Sequence, residues 1–150
     1  ERNKNLPVRN ETNEVLYPKD ETEKAFHVTG RVLEMLRDEC RQAGIELVVA
    51  VIPAPFAVVP GAKRSPDEVS DYDLRVKAIN DRLGIPTFLY GPPMLKYVTE
   101  HNEPLYGFPG RPRNLGHWNP KGHEIAGKLL SGYLCDRLTR KTAPVEPSKP

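Results

Sequence analysis

The chain has 150 residues, a hydrophobic content of 38% and a formal net charge of +2, which is the size and composition of one globular domain. This charge is too small to indicate a nucleic-acid partner, and no apolar run approaches the length of a membrane span. Cys40 and Cys135 both fall in helical patterns, so they predict neither a disulfide framework nor a metal site.

The N-terminal part of the chain predicts an arm followed by a helix. Residues 1–22 are polar without a sustained period, which is typical of an extended arm or loop. Helical spacing then runs from about Glu23 to Ala43, and Gly44 supplies a left-handed stop. The apolar face of this helix is predicted to hold Val32, Leu33, Leu36, Cys40 and Ala43.

Two buried strands and a helix between them are predicted in the middle of the chain. Ile45–Ile52 is a near-continuous apolar run of strand length, which is typical of a strand buried on both faces. A capping box at Ser65–Glu68 predicts a helix that reaches Leu83. Ile85–Tyr90 predicts a second short buried strand, parallel to the first and joined to it by a right-handed crossover.

A loop and a long helix are predicted for the C-terminal part. Pro92 and Pro93 favour a short helix, and the glycine- and proline-rich segment 103–113 predicts a loop. Asn119 is suited to cap the next helix and Pro120 to be its first residue. This helix is predicted to end near Leu138, and the proline-rich charged residues 139–150 predict a disordered tail.

This order of elements predicts the α/β class, with a three-layer, doubly wound, flavodoxin-like parallel sheet. Only two strands are recognisable, and two strands of central type cannot cover their own edges and faces. We therefore expect residues 23–138 to be the C-terminal portion of such a domain. An upstream segment or a partner chain would complete the sheet.

The stretch His117–His123 reads HWNPKGH, and a histidine in a loop just before a helix suits a general base. Together with the order of elements, this motif resembles the C-terminal part of SGNH (GDSL-like) hydrolases, a group related to acylhydrolases and polysaccharide O-acetyltransferases. The resemblance covers roughly residues 23–138. It implies that His117 is the general base, that the nucleophilic serine lies outside this chain, and that the substrate is an acyl ester or an acetylated saccharide.

The chain departs from that family pattern at the acid and the nucleophile. The acid would fall on Asn114 or Leu115, and neither is an acid; Asn114 can still accept a hydrogen bond from His117. The serines of the chain are Ser65, Ser70, Ser131 and Ser148, and none of them follows a predicted strand in a tight turn. A non-catalytic pseudoenzyme or structural subunit that keeps the fold to bind a partner is therefore the alternative.

Structural roles compete with functional ones within the motif. His117 could simply brace its loop, His123 is expected to be structural, and Trp118 is either a packing anchor or a wall of the substrate site. No cofactor is predicted. A metal held by both histidines needs a further ligand, and none lies at the usual spacing. The compartment is left open, with an extracytoplasmic location or a membrane anchor in an upstream segment favoured.

Overall fold

The computed structural model describes residues 8–9, 15–16, 19–61, 69–108 and 116–142. In chain order these form the short strands β1 (Val8–Arg9) and β2 (Val15–Leu16), helix α1 (Lys19–Gln42), strand β3 (Val49–Val51), helix α2 (Asp71–Leu83), strand β4 (Thr87–Leu89), helix α3 (Gly91–His101) and helix α4 (Pro120–Thr142). A single 3₁₀ turn at Pro55–Ala57 follows β3. None of the described helices combines the length and apolar character needed to cross a bilayer.

The predicted parallel pairing of two strands is confirmed. The Val49 amide donates to the Pro86 carbonyl at 2.9 Å, and the Tyr90 amide donates to the Val51 carbonyl at 3.1 Å. Because both partners advance in the same direction, β3 and β4 are parallel, and they form a sheet of two strands. The protein is thus of mixed α/β type. Strands β1 and β2 pair antiparallel in a second small sheet, within the segment predicted to be an arm or loop.

Several predicted boundaries are corrected by the structure. Helix α1 begins at Lys19, earlier than predicted, and α4 continues past Leu138 to Thr142. The N-cap of α2 is Ser70, whose Oγ accepts from the Asp73 amide at 3.1 Å, so the predicted start at Ser65 is wrong. Residues 62–68 lie outside the described part of the chain, as does the predicted tail from residue 143 onward.

The prediction that Ile45–Ile52 is buried on both faces is also wrong. Only Val49–Val51 is strand, and Ile45 and Ile52 are 60% and 58% exposed. The apolar pattern indicates what a strand would bury in a larger sheet, whereas among the described residues β3 has only β4 beside it. The predicted apolar face of α1 likewise contains exposed side chains, namely Val32 and Leu36.

The chain divides into two compact units, the first made of Glu1–Ala50 and Ser70–Thr87 and the second of Val51–Val69 and Phe88–Pro150. In the first unit α1 packs on α2. Phe26 lies 5.4 Å from Tyr72 between ring centroids, and the Arg75 guanidinium stacks 3.9 Å above the Phe26 ring. Gly84 ends α2 with a φ of 66°, the left-handed conformation expected of a helix-terminating glycine.

The second unit contains the larger apolar cluster. It joins the loop after β3, helix α3, the loop that follows it and helix α4. Its buried members are Val58, Tyr90, Met94, Leu95, Val98, Leu105, Tyr106 and Ala126. This cluster holds the segment around Trp118 in place, because Trp118, Ile125 and Leu129 pack against it.

Candidate functional site

The predicted cap of α4 is confirmed, and it also anchors the preceding loop. The Asn119 Oδ1 accepts from the Gly122 amide at 2.8 Å, which satisfies one of the free donors at the helix start. The Asn119 Nδ2 donates to the Pro104 carbonyl at 2.8 Å. One side chain therefore fixes both the start of the helix and its position beside the 104–106 segment.

Gly122 permits a close approach between the first turn of α4 and that segment. A Cβ built on Gly122 would lie 2.2 Å from the Leu105 carbonyl oxygen, a distance that real side chains do not tolerate. The Leu105 carbonyl also accepts from the Asn119 amide at 2.9 Å. The glycine of the motif is thus explained by packing and not by chemistry at a substrate.

Trp118 is a packing anchor, as one of its two predicted roles requires. Its ring lies 5.3 Å from Tyr90, 6.3 Å from Tyr106 and 5.6 Å from His123 between centroids, all edge-to-face. Such pairs add roughly 0.5–1.5 kcal/mol each beyond area burial. The Trp118 Nε1 is buried and has no hydrogen-bond partner among the described residues. His123 was expected to have a structural role, and its ring contact with Trp118 is a role of that kind.

His117 differs from its neighbours in the motif. It lies in a bend, and its side chain is exposed. Its backbone is fixed by a hydrogen bond, in which the His117 carbonyl accepts from the Gly107 amide at 3.0 Å. Within the described residues, the imidazole itself has no hydrogen bond or ion pair. The fold therefore presents a free imidazole on a fixed backbone.

The backbone next to His117 lies close to the residues that follow both strands. Trp118 pairs with Tyr106 in an antiparallel bridge, and the buried Tyr106 hydroxyl donates to the Pro53 carbonyl at 2.6 Å. Pro53 belongs to the loop that leaves β3, and Tyr90, which touches the Trp118 ring, follows β4. This part of the loop therefore lies beside the residues that follow the carboxyl ends of both strands.

The described residues include no predicted partner of His117. Asn114 and Leu115 lie outside those residues, so the prediction that Asn114 holds the imidazole is untested. Ser70 is the cap of α2 and belongs to the first unit, while Ser131 is exposed on α4. Ser65 and Ser148 are also outside the described part of the chain.

The residue after the motif, Glu124, is an ion-paired carboxylate on α4. Glu124 accepts from Lys121 at 2.7 Å and from Lys128 at 2.6 Å, and these two hydrogen bonds lower the pKa of the Glu124 carboxyl to about 2. The pair of lysines therefore leaves no free carboxylate at this position at neutral pH. Among the described residues, no three histidine, cysteine or carboxylate side chains are grouped so that they could hold a metal ion.

Tyr106 was missed by the sequence analysis. Its segment has no periodicity, and its hydroxyl bonds to a residue far away in sequence, so no local pattern could have identified it. Gly122 was equally silent, although an unexplained glycine inside a helical pattern is a recognised sign of close backbone approach.

Comparison with protein-family models finds no match for this chain, and neither a curated protein nor a solved structure shows significant similarity to it.

Proposed function

We propose that this chain is part of an SGNH-type serine esterase or O-acyltransferase in which His117 is the general base. One observation carries the proposal. Four other residues of the motif already have a packing or capping role. Trp118 and His123 make ring contacts, Asn119 caps the helix, and Gly122 allows the close backbone approach because it has no side chain. Among the described residues of the motif, only His117 is exposed with an uncommitted imidazole, beside residues that follow both parallel strands.

The chemistry requires a serine within hydrogen-bond reach of that imidazole. The imidazole takes the serine proton as the oxygen attacks the acyl carbonyl, and it returns the proton to the departing alcohol. Water, or an acceptor hydroxyl in a transferase, then repeats the sequence on the acyl-enzyme. The serine is contributed by polypeptide outside these 150 residues, which also supplies the glycine and asparagine donors for the oxyanion.

Asn114 is the group that orients His117 in this proposal. An asparagine oxygen accepts from one imidazole nitrogen and so fixes the tautomer, but it carries no charge to stabilise the imidazolium. In serine proteases, replacement of the aspartate by asparagine lowers turnover by about 10⁴, an example established for that family. We therefore expect slow turnover, and Asn114→Asp to accelerate it.

The same external polypeptide would complete the sheet. Helix α1 exposes four large apolar side chains at helical spacing, namely Val28, Val32, Met35 and Leu36, and β3 has a single neighbouring strand among the described residues. Faces of this kind are buried in doubly wound folds, where helices cover both sides of a longer parallel sheet. The finer prediction of a three-layer flavodoxin-like domain rests on this addition.

The substrate class follows from the resemblance and is an acyl ester or an acetylated saccharide. In this proposal Trp118 forms the wall of the substrate site next to His117. Its ring contacts with Tyr90 and Tyr106 show that it also packs against the apolar cluster. A non-catalytic subunit is the second candidate. It is favoured by the lack of a serine or a carboxylate contact to His117 within the described residues.

The test compares His117→Ala with His123→Ala in the full-length gene product. Hydrolysis of p-nitrophenyl acetate and labelling by a serine-directed fluorophosphonate are measured on both variants, with thermal unfolding as the check of folding. We expect His117→Ala to lose hydrolysis and His123→Ala to keep it. Equal hydrolysis by the parent and His117→Ala would remove the catalytic role, and absence of both signals in the parent protein would support the non-catalytic subunit.

A further inference from the structure

The first unit contains a groove between helices α1 and α2 that the proposed function does not use. Its volume is about 170 Å³. Its apolar wall is formed by Phe26, Gly30, Ile79 and Leu83, and its polar rim by His27, Arg31, Glu34 and Arg82. The groove is open to solvent, so a body the size of one ring would lie along its wall and remain partly exposed.

The charges on the rim favour an anion. Glu34 is already neutralised, because it pairs with Arg31 and its Oε1 lies 3.7 Å from the Arg37 Nη2. Arg82 also lines the groove, and within the described residues its guanidinium has no ion-pair partner. The His27 imidazole beside it is exposed. A carboxylate is a group that an uncommitted guanidinium binds through two parallel hydrogen bonds.

Gly30 keeps the α1 side of this groove open. Glycine in the interior of a helix costs about 0.5–1 kcal/mol relative to alanine, and Gly30 lies near the middle of α1. A Cβ added at Gly30 would meet only the Ile79 Cγ2, at the ordinary contact distance of 3.5 Å. Packing between the two helices therefore does not require this glycine, and an added side chain would occupy part of the groove that Gly30 lines.

We propose that the α1–α2 groove is a binding site for a small carboxylate with a ring-sized apolar body, held by Arg82 at the rim and by Phe26, Ile79 and Leu83 at the wall. The site belongs to the first unit and does not involve His117, so it stands or falls separately from the proposed esterase chemistry. The same geometry admits a branched short-chain carboxylate in place of an aromatic one.

The experiment measures binding of 4-fluorobenzoate to the full chain by ¹⁹F line broadening, with unlabelled benzoate as competitor. Benzylammonium and benzyl alcohol serve as ligands of the same shape with opposite or no charge. Arg82→Gln removes the proposed anchor. Lys77→Gln is the matched control, because Lys77 is also on α2 but pairs with Asp81 and does not line the groove.

We expect benzoate to compete and both uncharged and cationic analogues to fail. Arg82→Gln should weaken binding about tenfold or more, the range for a charge-assisted hydrogen bond, and Lys77→Gln should leave it unchanged. Gly30→Ala should raise Tm while it weakens binding, and Gly30→Leu should abolish binding. Broadening that is absent at millimolar ligand, equal for benzylammonium, or retained in Arg82→Gln would overturn the site.

Discussion

The first turn of α4 meets the Leu105 carbonyl at Gly122 so closely that a Cβ there would lie 2.2 Å from the oxygen and 3.0 Å from the Trp118 Cβ. A backbone oxygen cannot move aside as the end of a flexible side chain can. The contact also brings Trp118, and with it the backbone of His117, against the 105–107 segment. The glycine of the motif therefore sets the position of the candidate general base without touching a substrate.

Gly122→Ala should destabilise the protein by up to about 2 kcal/mol, since overpacking against backbone costs roughly 1–3 kcal/mol and the gain in helix propensity returns only about 1 kcal/mol. Gly127→Ala in the same helix should instead stabilise it by about 0.5–1 kcal/mol, because nothing lies within 4 Å of an added Cβ there. Urea unfolding of both variants measures the difference. Equal stability of the two would show that the segment can retreat from the helix.

Asn119→Ala should lower the free energy of unfolding by about 2 kcal/mol, from loss of the helix cap and of the hydrogen bond to Pro104. Asn119→Asp keeps an oxygen for the Gly122 amide but loses the donor to the Pro104 carbonyl. It should therefore fall between the parent and the alanine variant in chemical denaturation. A ranking with aspartate as low as alanine would place most of the energy in the Pro104 contact.

Asp73→Asn should stabilise the protein at pH 7. Asp73 is 5% exposed, and burial raises the pKa of its carboxyl, an effect that the Ser70 hydrogen bond partly offsets. Because the folded state holds this proton more tightly than the unfolded state, stability falls as pH rises from the ordinary value of 3.8 through the folded pKa. The gain from the variant should disappear below that range.

The control for Asp73 is its neighbour Asp71, which is exposed in the same first turn of α2. Asp71→Asn removes a favourable charge from the helix N-terminus and should destabilise the protein by about 0.3–1 kcal/mol at pH 7. Denaturant unfolding at pH 7 and at pH 3 separates the two effects by sign. Parallel behaviour of the two variants would mean that burial does not govern Asp73.

Asn80→Leu should stabilise the protein by about 1 kcal/mol. Asn80 is fully buried, and neither its Oδ1 nor its Nδ2 has a hydrogen-bond partner in the part of the chain that the structure describes, a state that costs roughly 1–3 kcal/mol. Leucine has a similar shape and buries no polar atom. Thermal unfolding measures the change, and destabilisation by leucine would indicate that the amide is satisfied by an ordered water.

The local elements were the predictable part of this fold. Gly44 and Gly84 both have the left-handed conformation that ends a helix, and Asn119 forms the predicted cap. Parallel pairing of β3 and β4 also followed from the order helix, strand, helix, strand. The helix ends and the cap depend on residues near one another in sequence, where propensity and periodicity act directly. The strand pairing is long-range and was predicted from the order of elements.

Other features escaped prediction, each for a physical reason. Two sequences upstream of α2 resemble a capping box, at Ser65 and at Ser70, and propensity alone does not choose between them; the structure uses Ser70. The burial of Ile52 was overestimated because an apolar pattern states a preference and cannot supply the neighbours that would satisfy it. The contact of Tyr106 with Pro53 had no sequence signal at all.

Trp118 also gives the protein a built-in optical reporter. It is the only tryptophan in the sequence, and its indole lies in the second unit against Tyr90, Tyr106 and His123, one residue from the exposed His117. Indole emission depends on the polarity around the ring, so a single fluorophore reads the integrity of this cluster without any label. Occupancy beside His117 and loosening of the α4 junction by Gly122→Ala should both shift that emission, while changes confined to the α1–α2 groove should leave its wavelength constant.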